Sequence, residues 1–151
     1  MNRTIFDVLL KDHALQRSLV DKLIRIPRWD VECREAVYER LSTEITAHVC
    51  AEEQYLYEPL MDSGFEQDQA NRRFREHKEI IETLTELGSL QTNGPEWPLK
   101  ARELHFLIHQ HLFEEEHQVF KHAGGQLAES QQNSLAIRYQ EESEGKRKAC
   151  A

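Results

Sequence analysis

Two sets of histidines and carboxylates recur in register along this chain. His13 is followed 35 residues later by His48, and His77 is followed 34 residues later by His111. The second histidine of each pair opens the string His-x-x-x-Glu-Glu, from His48 to Glu53 and from His111 to Glu116. An acid precedes each leading histidine, Asp12 before His13 and Glu76 before His77. A histidine and a glutamate at i, i+4 lie one turn apart on one helix face, so they can share one ion. Four imidazoles and two carboxylates buried without partners would be costly. Two divalent cations remove that cost, and imidazole with carboxylate suits iron, zinc or manganese. The candidate metal ligands are therefore His13, His48, Glu52, His77, His111 and Glu115. If both carboxylates bridge, coordination positions stay open on the pair, where a diatomic or peroxide ligand would bind. No catalytic residue is assigned beyond the ligands.

The elements that must position these residues are helices, because apolar residues repeat at helical spacing nearly throughout. The first is predicted over about 4–26, with Phe6, Leu9, Leu10, His13, Val20, Leu23 and Ile24 inward. The second starts behind an Asp30 N-cap and runs to about Met61, with Pro59 distorting or ending its last turn. The third spans about 66–90. The turn-rich segment 92–98 leads into the fourth, which ends near Ala123 before Gly124-Gly125. A short fifth helix is expected over about 126–142, followed by a polar, flexible tail at 143–151. The expected fold is all-α, an up-down-up-down four-helix bundle over residues 1–142 with a short additional C-terminal helix. His13 lies about 9 residues from one end of its helix and Glu52 about 9 from the matching end of the next, so both sit roughly 13 Å deep. His77, His111 and Glu115 fall at similar depth, which puts all six in one layer.

The remaining candidates read differently. Glu53 and Glu116 are rotated about 100° from the ligand face and read as solvated or as outer supports. His105, His109 and His117 point away from His111 by roughly 120° to 160° and read as surface or interface residues. His122 returns to the inner face about three turns away. Gln16 and Arg17 read as polar residues near the bundle end. Cys50 reads as a packed thiol off the ligand face, and Tyr55 as packing within reach of the site. Trp29 and Trp97 read as end-caps of the core.

With 151 residues the chain is read as one domain with a real core. A net charge of -8 argues against nucleic acid, because no basic stripe is available to neutralise phosphates. No stretch reaches the length of a membrane span, and the first residues lack the apolar core of a signal peptide. Cys33, Cys50 and Cys150 are scattered and odd in number, which suggests free thiols and a cytoplasmic setting.

At Asp12-His13, His48-x-x-x-Glu52-Glu53, Glu76-His77 and His111-x-x-x-Glu115-Glu116 the chain resembles the bacterial hemerythrin-like family, the hemerythrin HHE cation-binding domain. Leu56-Tyr57-Glu58-Pro59 and Val119-Phe120 also resemble the family pattern, and the likeness spans about residues 4–142. The resemblance implies a non-haem di-iron centre, with the four histidines as ligands and Glu52 and Glu115 as bridges. Oxygen-carrying hemerythrins have a fifth histidine one turn after the third-helix ligand, where this chain has Ile81, and a His-x4-Asp spacing in place of His111-x3-Glu115. The chain is closer to the four-histidine, two-glutamate subgroup, which includes iron–sulfur repair proteins, though their N-terminal domain with adjacent cysteines has no match here. The open coordination positions, with no substrate-sized motif in the chain, point to a binder or sensor of oxygen, nitric oxide or peroxide, served by an unidentified redox partner. The alternatives are iron handling, repair or stress response, and a redox enzyme of peroxidase or nitric-oxide-reductase type. A homo-oligomer is compatible with all of them.

Overall fold

Thr4 opens α1 (Ile5–Leu23) with a capping box. Its Oγ1 accepts the Asp7 N–H at 3.2 Å, and Asp7 Oδ2 accepts the Thr4 N–H at 3.0 Å, which satisfies two donors that a helix start leaves unpaired. Asp30 caps α2 (Val31–Glu52) by accepting the Cys33 N–H at 3.2 Å. The chain is seen in a computed structural model that describes residues 3–150. No strand occurs among those residues.

The rod begun by α2 continues through a π-helical turn, Glu53–Tyr57, into α3 (Glu58–Asp62). Gly64, at φ +92°, reverses the chain, a conformation that other residues adopt only with strain. Next come α4 (Gln67–Ser89) and α5 (Trp97–Glu114). A second π turn, Glu115–Phe120, then leads into α6 (Lys121–Ala123). The last helix is α7 (Glu129–Cys150). The four rods α1, α2–α3, α4 and α5–α6 form the up-down-up-down bundle, and α7 lies against α1 and α2.

Two apolar clusters fill the bundle. One joins Leu19, Leu23, Leu41, Ile45, Ile80, Leu87, Leu104 and Leu112. The other joins Ile5, Leu9, Ala51, Leu56, Tyr57, Val119 and Tyr139. Along each of the four rods the candidate ligands fall between the two, so the polar layer has a dry core above and below.

Four expectations need correction. The fifth helix is not short: α7 has 22 residues. The stretch expected as a flexible tail, 143–151, is helical as far as Cys150, and Ala151 lies outside the described residues. Its buried stripe runs Leu135, Ala136, Tyr139 and then Ser143. The stripe continues on a small polar residue, which a hydropathy pattern does not register. Leu10 is 43% exposed instead of inward, because Ile5, Leu9, His13, Gln16 and Val20 form the inner stripe and Leu10 lies off it. Trp29 caps nothing, being 81% exposed, whereas Trp97 is buried with the Arg34 guanidinium 4.2 Å from its ring centre.

Candidate metal centre

The two π turns start at nearly equivalent places, one residue after Glu52 in the first half and on Glu115 itself in the second. In the first, the Glu58 N–H bonds to Glu53 O, an i→i+5 bond. Pro59 does not cause it, since the second half forms the same turn without a proline. Such single π turns sit at functional sites more often than elsewhere. Here the consequence is rotational. In an unbroken α-helix Tyr57 would lie about 140° round from Glu52; the extra residue brings it to about 40°. The same shift brings Phe120 round to the face of Glu115.

All six candidate ligands are buried, and the structure brings them together. His13, His48, Glu52 and Glu115 place one ligand atom each within 4.8 Å of one another, and so do Glu52, His77, His111 and Glu115. Both carboxylates belong to both sets. Glu52 Oε2 lies 3.1 Å from His48 Nε2 while its Oε1 lies 3.1 Å from His77 Nε2. Glu115 Oε1 lies 3.1 Å from His13 Nε2 and its Oε2 lies 3.7 Å from His111 Nε2. Although these contacts are short, His13 Nε2, His48 Nε2, both Glu52 oxygens and Glu115 Oε1 make no hydrogen bond of proper geometry. Buried polar atoms without partners are rare. A converging group of them is what a metal-ligand set looks like before the ions are counted, so these residues fit a pair of cations.

Every imidazole is held from behind at Nδ1. Glu116 Oε2 is 2.7 Å from His13, Glu53 Oε2 is 2.8 Å from His77, and Glu76 Oε1 is 2.7 Å from His111. The Tyr139 hydroxyl is 2.5 Å from His48 Nδ1, with Asp12 Oδ2 at 3.4 Å. A carboxylate on Nδ1 fixes the tautomer that leaves the Nε2 lone pair for a metal and orients the ring. The pattern is reciprocal. The acid before each leading histidine supports the paired histidine of its own half. The acid after each glutamate supports the leading histidine of the other half. Glu53 and Glu116 are therefore supports, one of the two roles read for them.

Cations and aromatic rings complete the layer. Arg17 binds both oxygens of Glu116, at 2.9 and 3.0 Å. Arg147 reaches Glu44 at 2.9 Å and Asp12 at 3.5 Å. Arg73, wholly buried, holds Glu76 at 3.1 Å and Glu114 at 3.3 Å. Tyr57 donates to Glu115 Oε2 at 2.5 Å, and Phe120 stacks on His13 with ring centres 5.5 Å apart. Burial, then the charges of Glu115 and Glu52, push the Tyr57 phenol well above its ordinary range, so it remains a proton donor. Burial alone would lower the His77 pKa, but contacts with Glu52 and Glu53 outweigh it and raise it to about 10. Burial lowers His111 to about 3. The two Nε2 atoms are 3.1 Å apart, so the proton rests on one ring only.

Arg73 and Arg147 were given no place at the site from the sequence, and Tyr57 was read only as part of a family-like string and Tyr139 only as part of the fifth helix. The tyrosine chosen there, Tyr55, packs at the edge of the apolar cluster. Gln16 is buried with its Nε2 unpartnered, and Arg17 serves Glu116. Cys50 is exposed and Cys33 half-buried, both free. His122 lies at a surface depression with Phe65 and Gln126, away from the ligands. Ile81 packs half-buried against the core.

A helical bundle enclosing two histidine–carboxylate sets is a metal-binding architecture. The sequence model of the hemerythrin HHE cation binding domain matches residues 4–123, and the chain belongs to that family. A similar solved structure is the crystal structure of a hemerythrin HHE cation binding domain-containing protein from Mycobacterium kansasii, a homologue of Rv2633c. It is 19% identical, with a TM-score of 0.86 over 97% of this chain and 89% of that one. None of the curated proteins matches significantly. Among the described residues no helix is long and apolar enough to cross a membrane.

Proposed function

We propose that this chain is a non-haem di-iron protein whose buried centre binds or senses a small ligand, either dioxygen, nitric oxide or peroxide. The observation that carries the reading is the sharing of Glu52 and Glu115 between the two histidine pairs, each carboxylate facing both. His13 and His48 would hold one ion, His77 and His111 the other. Zinc or manganese could substitute on donor chemistry; the family supports iron. Bound iron supplies two redox-active ions with room for an exogenous ligand. The chain supplies the rest. The Nδ1 supports keep the Nε2 atoms aimed inward, the apolar clusters on either side keep the layer dry, and Tyr57 holds a proton beside Glu115.

A cleft of ≈110 Å³ between α4 and α5, lined by Glu76, Ile80, Leu107 and His111, opens onto the layer. Its size suits a diatomic molecule or peroxide better than an organic substrate. Imidazoles held in place at Nδ1 before any ion binds favour a resident cofactor over an iron cargo that must leave. The free Cys33 and Cys50 support a cytoplasmic setting. Metal analysis of freshly purified protein, followed by stopped-flow spectra of the reduced form with oxygen and nitric oxide, tests the proposal. Two irons per chain and a spectral response to at least one gas are expected; zinc alone, or silence toward both gases, overturns it.

The Tyr57 hydroxyl favours a second reading, a redox enzyme, because a buried phenol beside the centre can deliver a proton during turnover. Sustained peroxide consumption with a chemical reductant, lost in Glu52→Ala, would support it. A single stoichiometric reaction would count against it.

A further inference from the structure

Outside the buried layer, α1 and α5 bring together a second group of metal-ligating side chains. His105 and His109 stand one turn apart on α5, and both aim Nε2 at the same atom, Asp21 Oδ1 on α1, at 2.8 and 2.7 Å. We propose that Asp21, His105 and His109 form a separate surface site for one divalent transition-metal ion, with water completing its coordination.

Four observations carry this. The three ligand atoms lie within 4.8 Å of one another. Zinc bonds of about 2.0–2.2 Å need ligand atoms about 3.3 Å apart in a tetrahedral arrangement, so each histidine has to draw back from Asp21 Oδ1 by only about half an ångström. The i, i+4 spacing on a formed helix holds the two imidazoles on one face before any ion arrives, with ring centres 4.4 Å apart. An ordinary histidine–aspartate bond needs one histidine; here two compete for one oxygen.

Asp21 is also free of competing cations. Arg17, one turn earlier, is committed to Glu116, and among the described residues no lysine or arginine pairs with Asp21. The side chains are 30%, 34% and 38% exposed for His105, His109 and Asp21, so a hydrated ion can enter and keep some of its water. Binding needs the Nε2 lone pairs. Each neutral imidazole meets that need by carrying its proton on Nδ1 instead, with no net loss of protons. Two imidazoles and one carboxylate suit zinc, copper or nickel over calcium or magnesium.

Titration of the metal-loaded protein with Zn²⁺ by calorimetry tests the site. One zinc equivalent beyond the metal already present should bind with micromolar affinity, and at least tenfold more weakly in His105→Ala, His109→Ala and Asp21→Asn. His117→Ala, an exposed histidine on the same rod, should leave that equivalent intact. Bound Cu²⁺ should show nitrogen couplings from two imidazoles by electron paramagnetic resonance, reduced to one in His105→Ala. Resident metal content and melting temperature, measured on each variant, identify any that fails to fold. His109→Gln then repeats the measurement with a residue that packs more conservatively. No added equivalent up to about 1 mM Zn²⁺, or an equal one in the His105→Ala/His109→Ala double variant, overturns the assignment.

Discussion

Tyr57 hydrogen-bonds across the bundle to Glu115, joining the first half of the chain to a carboxylate of the second at 2.5 Å. Its counterpart in the second half is Phe120, which lacks a hydroxyl and stacks on His13 instead. The near-symmetric layer is therefore chemically one-sided. Tyr57→Phe should cost about 1.5–3 kcal/mol in the metal-free protein, the range for a hydrogen bond to a charged group. It should keep the fold and the metal content while changing the rate of the ligand reaction. Chemical denaturation and stopped-flow on the same preparation check both. Unchanged stability together with an unchanged rate would remove Tyr57 from any role.

Metal loading should expel protons. In the metal-free layer His77 is raised from its ordinary 6.5 to about 10, and His13 and His48 are also raised because their carboxylate contacts outweigh burial. Stability from these imidazolium pairs is full below about 6.5 and fades as pH rises through the raised values. His111, lowered to about 3, works the other way. Its neutral form is favoured in the fold, and its contribution is lost as pH falls from about 6.5 toward 3. At neutral pH an ion must displace the His77 proton, so apparent affinity should rise about tenfold per pH unit for each proton expelled. Calorimetry in two buffers of different ionisation enthalpy measures that number; a heat independent of buffer would refute the coupling.

The supports behind the imidazoles should matter almost as much as the ligands. Tyr139→Phe removes the hydroxyl that contacts both His48 and Asp12. Glu53→Gln removes the carboxylate behind His77. Changes of this kind typically weaken metal binding 10- to 100-fold. Competition against a chelator, with metal counted after dialysis, is the measurement. Glu82→Gln, on the exposed side of α4 and paired only with Lys78, should retain metal like the unaltered protein. Equal retention in all three variants would show that the supports are dispensable.

How much of this was legible follows from which signals are local. The four rods and the convergence of His13, His48, Glu52, His77, His111 and Glu115 could be read because helical period and i, i+4 spacing lie within one segment. The doublets Glu52-Glu53 and Glu115-Glu116 marked the supports but not their targets, which lie in the other half of the chain. Tyr57 was hidden because the π turn shifts the period that located everything else. Tyr139 could be placed in the fifth helix but not against His48, which lies 91 residues away, and Arg147 was hidden because α7 docks through a stripe that ends on Ser143. His105 and His109 were seen to face away from His111, but Asp21, 84 residues before His105, gives no sign in sequence that it meets them.

The C-terminal part of α7 offers a direct contrast between the two readings of residues 143–151. A frayed tail could be removed at no cost. In the structure Ser143 is buried, and Arg147 ties α7 to Glu44 on α2 and Asp12 on α1. Arg147 and its partners are partly exposed, so each ion pair contributes only about 0.2–1 kcal/mol after screening. Arg147→Ala should therefore lower stability by about 1 kcal/mol, less so in high salt. Ending the chain after Glu142 should cost more, about 1–3 kcal/mol, because the Ser143 packing and the last turns of the helix go with it. It should also speed chelator-driven metal loss from the His48 side, since Asp12 loses a restraint. Denaturant melts of both variants at low and high salt decide the matter. A truncated chain as stable as the full one would mean that these turns form without holding anything in place.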